Sequence, residues 1–557
     1  MSGRASRRLL AGVGLMVLFP AVPLAAPPDT ADTPRETAPE MPTPAKLEEM
    51  GATIGRIVLL KENVFDPSKP GEDRWLYRLA NRWHIVTHDA VIEQQLLFRE
   101  GDPFSERLLA ESARILRDNE YLYTASVEPL AWDPETGVVD VAVRTRDIWT
   151  LMPGASVSRS GGENELHVSL SEKNLLGRGA RVRLVYEEDV DREATSFEFS
   201  DRNFGRSWVS VALGLSDKSD GSTAELAVVR PFYALDARWS AGISLLDDER
   251  EDRLYDLGEE VAEYRHDSEY YTVFGGWSAG LRDGRVRRWT AGIVYDDQKF
   301  SEALEPELPQ VLPADRKLVY PFIGFEQLED DYEVTENRDH IGRPEDFYMG
   351  RRFEAILGWA DEEFGSDRDA LVYSLEASRG FGHIDRKALL VSAGASGRVE
   401  DGGLVNAVVE VGARWYNQIT DKRLFFMTLD VAAGHELDLE NPVELGGDTG
   451  LRGYPLRYQA GDASVLFTVE QRYFTDWYPF RLFRIGGAVF ADVGRTWGDN
   501  PVGGSSLGWL KDIGFGLRFA PTRGGDHEII HLDIAFPLDG DPSIDDVQIL
   551  LESKASF

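Results

Sequence analysis

Val405-Asn406-Ala407-Val408-Val409-Glu410-Val411-Gly412-Ala413-Arg414-Trp415 decides how the rest of the chain is read. Every second residue from Val405 to Trp415 is apolar, and Asn406, Glu410 and Arg414 fall between them. That is the period of an extended strand with one apolar and one polar face. The next run repeats it, setting Phe425, Met427, Leu429, Val431 and Ala433 against Thr428 and Asp430. Ile530, Leu532, Ile534 and Phe536 alternate in the same way with His531 and Asp533. From Trp149 onward such runs are separated by loops rich in Gly, Asp and Asn, and helical periodicity is absent. A soluble β-sandwich also alternates, with its apolar face inward. The many consecutive strands, the aromatics near their ends and a secretory leader point instead to a transmembrane barrel, apolar toward lipid and polar toward a wet lumen.

The leader is expected over residues 1–26. Arg4, Arg7 and Arg8 precede an apolar stretch, and the small Ala25 and Ala26 follow. No later segment offers the ~18 uninterrupted apolar residues of a spanning helix. At 557 residues the chain suits more than one unit. A net charge of −36 argues against nucleic acid as a partner. The absence of cysteine excludes disulfides, thiol catalysis, thiolate metal sites and a lipoprotein anchor.

Residues 27–50, rich in Pro, Thr, Ala and Glu, are expected to be a flexible linker. A compact α+β unit is expected over 51–148. Its first strand covers 54–60, helices cover 74–83, 89–97 and 105–118 with Ser105 as N-cap, and two strands cover 125–131 and 138–143. Asp133-Pro134-Glu135-Thr136-Gly137 supplies the turn between the last two. The barrel takes 149–557, and drawing strands from the pattern allows up to about 20.

One constellation near the C-terminus carries more. Leu451-Arg452-Gly453-Tyr454-Pro455 lies in a loop with Gly446, Gly447 and Gly450. Strands then bring Glu470, Phe490-Ala491-Asp492-Val493-Gly494 and Gly514-Phe515-Gly516-Leu517-Arg518, and the chain ends at Phe557. With Val465, Phe467, Val469 and Tyr473 facing lipid, Glu470 and Arg472 face the lumen. Likewise Val489, Ala491 and Val493 leave Asp492 inward, and Arg518 points inward beside two glycines.

These residues resemble outer-membrane assembly factors of the BamA/TamA type, a superfamily that includes the two-partner secretion transporters. The segment 54–147 looks like a single POTRA domain, with Phe98-Arg99-Glu100-Gly101-Asp102-Pro103-Phe104-Ser105 where such domains join their helices. The resemblance implies an all-β antiparallel barrel of sixteen strands behind one α+β POTRA domain. It also implies that Arg452, with Gly453 and Tyr454, is held inside the barrel by Glu470 and Asp492, with Arg518 nearby. A loop folded into a wide barrel lacks a hydrophobic core to hold it, and carboxylates can grip a guanidinium in bidentate fashion. Phe557 resembles the terminal aromatic of an outer-membrane targeting signal. Ala125, Ser126, Val127 and Glu128 would form a POTRA edge able to accept an extended client.

The function so implied is insertion or translocation of proteins at the outer membrane of a Gram-negative bacterium, with the POTRA domain in the periplasm. Expected partners are the lipid bilayer, unfolded outer-membrane or secreted clients, and a periplasmic protein at the POTRA domain. An exporter of one dedicated protein and a passive pore or surface antigen remain alternatives. No cofactor or metal is implied, and no enzyme is expected. Gly276-Trp277-Ser278-Ala279-Gly280 matches a nucleophile elbow but lies in a strand-like stretch, not a strand-turn-helix. His84-Ile85-Val86-Thr87-His88 lacks the glutamate of a zinc-protease motif. The acidic run 247–252 reads as a solvated loop.

Overall fold

The protein is described by a computed structural model over residues 41–304, 307–498, 500, 502–504, 506–524, 528–542, 544–554 and 556–557. The expected leader, and the linker as far as residue 40, lie outside the described residues.

The N-terminal unit is built of α1 (Pro44–Glu49), β1 (Thr53–Glu62), α2 (Trp75–Trp83), α3 (Asp89–Glu93), α4 (Glu106–Arg117), β2 (Leu122–Asp133) and β3 (Val138–Asp147). Its sheet has the order β1-β3-β2, with β1 parallel and β2 antiparallel to β3. The helices cover one face, burying Ile92, Phe98, Phe104, Leu109 and Leu116 against Leu122, Val139, Val141 and Val143. Residues 44–49, expected to belong to the linker, form α1 instead. Thr43 caps α1, and Leu47 is fully buried in this core, so apolar burial orders residues 44–49. Ser105 stands at the N-cap of α4 without a capping hydrogen bond; the Glu106 N–H donates to Glu48 of α1 instead, at 3.2 Å.

The barrel wall opens with β4 (Leu151–Ser160), β5 (Glu163–Glu172), β6 (Ala180–Glu188), β7 (Glu193–Asp201), β8 (Ser210–Lys218) and β9 (Gly221–Arg230). It continues through β10 (Trp239–Asp256), β11 (Glu259–Ser278), β12 (Arg285–Ser301) and β13 (Arg316–Glu329). A hairpin, β14 (Tyr332–Glu336) with β15 (Pro344–Tyr348), interrupts it. Then come β16 (Arg352–Ala360), β17 (Ala370–His383), β18 (Lys387–Glu400), β19 (Gly403–Thr420) and β20 (Arg423–His435). A second short hairpin, β21 (Val443–Leu445) with β22 (Gln459–Gly461), carries the glycine-rich loop. The wall ends with β23 (Ala463–Phe474), β24 (Phe483–Trp497), β25 (Leu510–Pro521), β26 (Ile529–Pro537) and β27 (Gln548–Lys554).

Twenty strands form one closed antiparallel barrel, in which β27 returns to β4. The number matches the upper count drawn from alternation and exceeds the sixteen implied by the resemblance. Five strands follow the glycine-rich loop, so the additional ones precede it. Outward residues such as Val273, Ile293, Ile323, Val409, Val489 and Phe515 expose an apolar belt. That belt is the surface a bilayer covers.

Two local readings change. The expected parity of β19 holds from Val409 to Trp415 but fails before it. A bulge at Asn406, whose φ is +46°, turns Leu404 outward and buries Ala407. The acidic run 247–252 is not a loop. It lies within β10, where Asp248 pairs with Lys218 and Asp252 with Arg250 and His266.

The N-terminal unit sits against the barrel end that carries the β5–β6, β9–β10, β23–β24 and β25–β26 turns and the β13–β16 connection. Glu72 meets Arg523, Arg107 meets Asp236, Arg117 meets Asp346 and Glu120 meets Arg181. The Tyr77 hydroxyl donates to the Phe480 carbonyl at 2.6 Å. These contacts lie at turns distributed around the rim, so the unit lies across that mouth.

Candidate functional site: an ion-paired loop and a hairpin inside the barrel

A barrel of this size encloses more space than wall side chains can fill, and larger barrels hold either water or inserted chain. Here chain enters from both ends. From the far end, residues 446–458 fold inward on the β21–β22 stalk. Contrary to expectation, this loop has a small apolar core of its own, in which Leu445, Leu451, Tyr454 and Tyr458 pack on Leu466 and Leu510.

The Arg452 guanidinium is buried at its tip. Its Nε and Nη2 donate to the two oxygens of Asp492, each at 2.8 Å, and Nη1 donates to Glu470 at 2.7 Å. Its flat face lies 3.4 Å from the centroid of the Phe490 ring. Thr468 donates to Asp492 at 2.7 Å. A planar fork with fixed donors suits two carboxylates on adjacent strands, and a lysine would not reproduce it.

The next two motif residues are tied to later strands. Gly453 N–H donates to Asp512 at 3.0 Å, and a Cβ there would stand 2.6 Å from the Asp512 Cβ. The Tyr454 hydroxyl donates to Asp539 at 2.7 Å and accepts from the Lys511 N–H at 2.9 Å. Arg518 is fully buried and donates to its own partner, Asp533 on β26, at 2.5 Å. The two glycines beside it do not make room for the loop. A Cβ at Gly514 would strike the Phe490 ring, and one at Gly516 would strike Asp533.

From the mouth under the N-terminal unit, the β14–β15 hairpin enters and meets the same network. Glu470 accepts from Arg472 at 2.8 Å, and Arg472 donates to the Arg338 carbonyl at 2.9 Å. Asp339 accepts from the Tyr416 hydroxyl at 3.0 Å, and its carbonyl accepts from the Phe557 N–H at 2.7 Å. Glu345 gathers the turn by accepting from the N–H groups of Arg338, Asp339 and His340 at 3.0, 2.8 and 3.1 Å. Burial pushes the Glu345 carboxyl up to about 7 and the His340 imidazole down to about 4. Ile341, Phe347 and Met349 pack with Tyr416, Phe426, Phe474 and Phe557. Phe557 therefore lies beyond the last strand, turned inward, 5.0 Å from Phe474.

The structure thus brings Arg452, Glu470 and Asp492 together and adds Asp512, Asp533, Phe490 and the whole hairpin. Alternation carried a signal for Asp512 and Asp533, both inward on strands already drawn. The hairpin gave none, because its strands are short and lie inside a connection. In the N-terminal unit Ala125, Ser126, Val127 and Glu128 lie on β2, which pairs only with β3 among the described strands; Ala125 and Val127 are buried on the helix side. The Ala125 carbonyl accepts from Arg117 at 3.1 Å. Ser278 ends β11 and its hydroxyl donates to the Arg287 carbonyl at 2.9 Å, while His84 lies 3.2 Å from Asp147. Among the described residues no cluster suited to a metal ion occurs.

Fold and site together define a closed antiparallel β-barrel whose lumen holds an ion-paired loop and a hairpin. No family model matches the chain, and no curated protein does. Among solved structures it is similar to BamA from Haemophilus ducreyi lacking POTRA domains 1-3, at 11% identity and a TM-score of 0.39, covering 89% of this chain and 84% of that one. It is also similar to CdiB from Escherichia coli, at 13% identity and a TM-score of 0.45, covering 90% of this chain and 76% of that one. CdiB from Acinetobacter baumannii has 11% identity and a TM-score of 0.43, covering 90% and 74%.

Proposed function

We propose that this chain is an outer-membrane protein of the BamA/TamA type that inserts client proteins at the seam between β4 and β27, with the α+β unit as its periplasmic POTRA domain. One observation carries this reading: chain enters the lumen from both ends, while among the described residues the β4–β27 junction is the most sparsely paired in the wall. Among the described residues β27 is in register with β4 at one place, Leu551 opposite Arg159, whereas β26 and β27 pair from Ile529–Lys554 to Ala535–Gln548. Strand edges whose backbone groups lack partners are ready templates for another strand. Within lipid such groups must find partners, which favours pairing with a client strand over lasting exposure. Arg452, Glu470 and Asp492 would hold the loop across the strands behind this seam, a structural role with no chemical step.

Export through the lumen or passive conduction would need the N-terminal unit, the hairpin and the loop all to leave. The test is in-cell photo-crosslinking from Leu551 on β27 and Ser126 on β2, with mass spectrometry of captured species. Several different barrel precursors at both positions are expected. Capture of a single secreted protein would replace this reading with dedicated export, and no capture would leave a pore with a docking domain.

A further inference from the structure

Helix α2 leaves an apolar face uncovered. At 100° per residue, Trp75, Leu79 and Trp83 fall along one stripe with Leu76 beside it. Trp75 is 70% exposed and Trp83 73%, and Leu76, Leu79 and Ile85 are exposed as well. The opposite face is committed. Tyr77 stacks on Phe65 at 4.2 Å, and Asn81 accepts from the Phe65 N–H at 3.0 Å. Arg78 and Arg82, both exposed, border the stripe on its other side.

The position of this helix identifies what covers it. The Tyr77 hydroxyl is bonded to the turn between β23 and β24, and in that turn Trp477 and Phe480 are themselves largely exposed. Val64, Phe65 and Tyr77 pack with Leu482 and Trp149, and the Trp149 N–H donates to the Arg523 carbonyl at 2.6 Å. The α2 helix therefore sits, through its Tyr77 face, beside the turn that exposes Phe480 and Trp477 at the end of the barrel wall, and its own stripe is exposed at that same level. It lies under the strands that flank the seam. Tryptophan at a membrane–water boundary, with arginines alongside it, is the composition of an interfacial helix. An exposed stripe of this kind on a soluble unit otherwise requires an occupant.

We infer that α2 lies in the phospholipid interface of the membrane, with Trp75, Leu76, Leu79 and Trp83 in the headgroup–acyl boundary, and that it anchors the N-terminal unit beneath the seam. This rests on the barrel spanning a bilayer. Arg82 would extend toward lipid phosphates with its stem along the stripe's margin, while Arg78 beside it is paired with Asp73.

The chain contains no native cysteine, so single labels are unambiguous. The full chain would carry an NBD probe at Leu79→Cys, Trp83→Cys, Glu135→Cys on the far turn of the unit, or Val489→Cys on the barrel belt. Each variant would be reconstituted in phosphatidylethanolamine/phosphatidylglycerol vesicles containing lipid with a nitroxide at an upper acyl carbon. Expected are blue-shifted emission and loss of intensity to the lipid nitroxide at 79 and 83, with neither at 135. Aqueous emission at 79 and 83 while 489 is quenched would overturn the inference and leave the barrel reading intact. Blue-shifted emission at 79 and 83 without lipid quenching would overturn it in favour of a protein occupant. Unquenched probes at 79, 83 and 489 alike would overturn both.

Discussion

Arg452 is the residue on which the loop depends most. Its guanidinium occupies Glu470 and Asp492 together and rests on Phe490, all buried. Removing one partner of a buried ionic cluster leaves charge without compensation, at a cost of about 3–5 kcal/mol. Arg452→Ala should therefore lower the unfolding temperature of the detergent-solubilised barrel and free residues 446–458 to limited proteolysis. Arg452→Lys should fall between wild type and alanine, because a point charge cannot serve three fixed acceptors. Unchanged melting and proteolysis in both variants would refute the anchoring role. Alternation turns Glu470 and Asp492 to the same side of their strands as the other polar residues, because side chains along an unbulged strand alternate with a period of two. It could not place Phe490 against the guanidinium or Asp533 against Arg518, since those pairings depend on strand register.

At the scale of elements, the β14–β15 hairpin combines two opposed titrations. Glu345 is raised to about 7 by burial, so the folded hairpin holds its proton above the pH at which the free chain releases it. Its docking is therefore favoured as pH falls from 7 toward the ordinary carboxylate range. His340 is lowered to about 4, so the folded hairpin resists a proton that the free chain accepts near 6.5. That contribution is lost as pH falls from about 6.5 toward 4. The two oppose each other in the native protein. With His340→Ala, hydrogen exchange over residues 332–348 should slow as pH is lowered from 7.5 to 5.5. Exchange that speeds up, after correction for intrinsic rates, would show that Glu345 is not protonated in place. The hairpin had no legible signature because its strands are five residues each and its burial comes from partners far along the chain. The α1 helix was missed for a related reason, since one buried leucine orders six residues of otherwise linker-like composition.

For the whole molecule, the arrangement predicts that movement concentrates at one junction. The N-terminal unit is held around the rim by Arg107–Asp236, Arg117–Asp346, Arg181–Glu120 and Arg523–Glu72. The loop and the hairpin meet through Arg452, Glu470 and Arg472. Among the described residues the β4–β27 seam has the shortest pairing in the wall, with one pair in register. Arg159→Cys with Leu551→Cys, facing positions on the two strands, should form a disulfide under oxidation and, if the proposed insertion function holds, stop client insertion into vesicles. Reductant should restore it. Insertion that continues at full rate with the seam closed would remove the seam from the mechanism.

Much of this protein was written locally. Period-two alternation specified barrel strands, apolar outside and polar inside, because side-chain direction along a strand is a covalent property. The same rule turned Glu470, Asp492 and Arg518 toward the lumen. What needed the tertiary structure was everything decided by closure: where the wall closes and at which count, the bulge at Asn406, the β14–β15 hairpin that enters the lumen, and the inward turn of Phe557. Barrel closure brings residues together that are far apart along the chain, and the energy of those meetings comes from burial and register rather than from any local pattern.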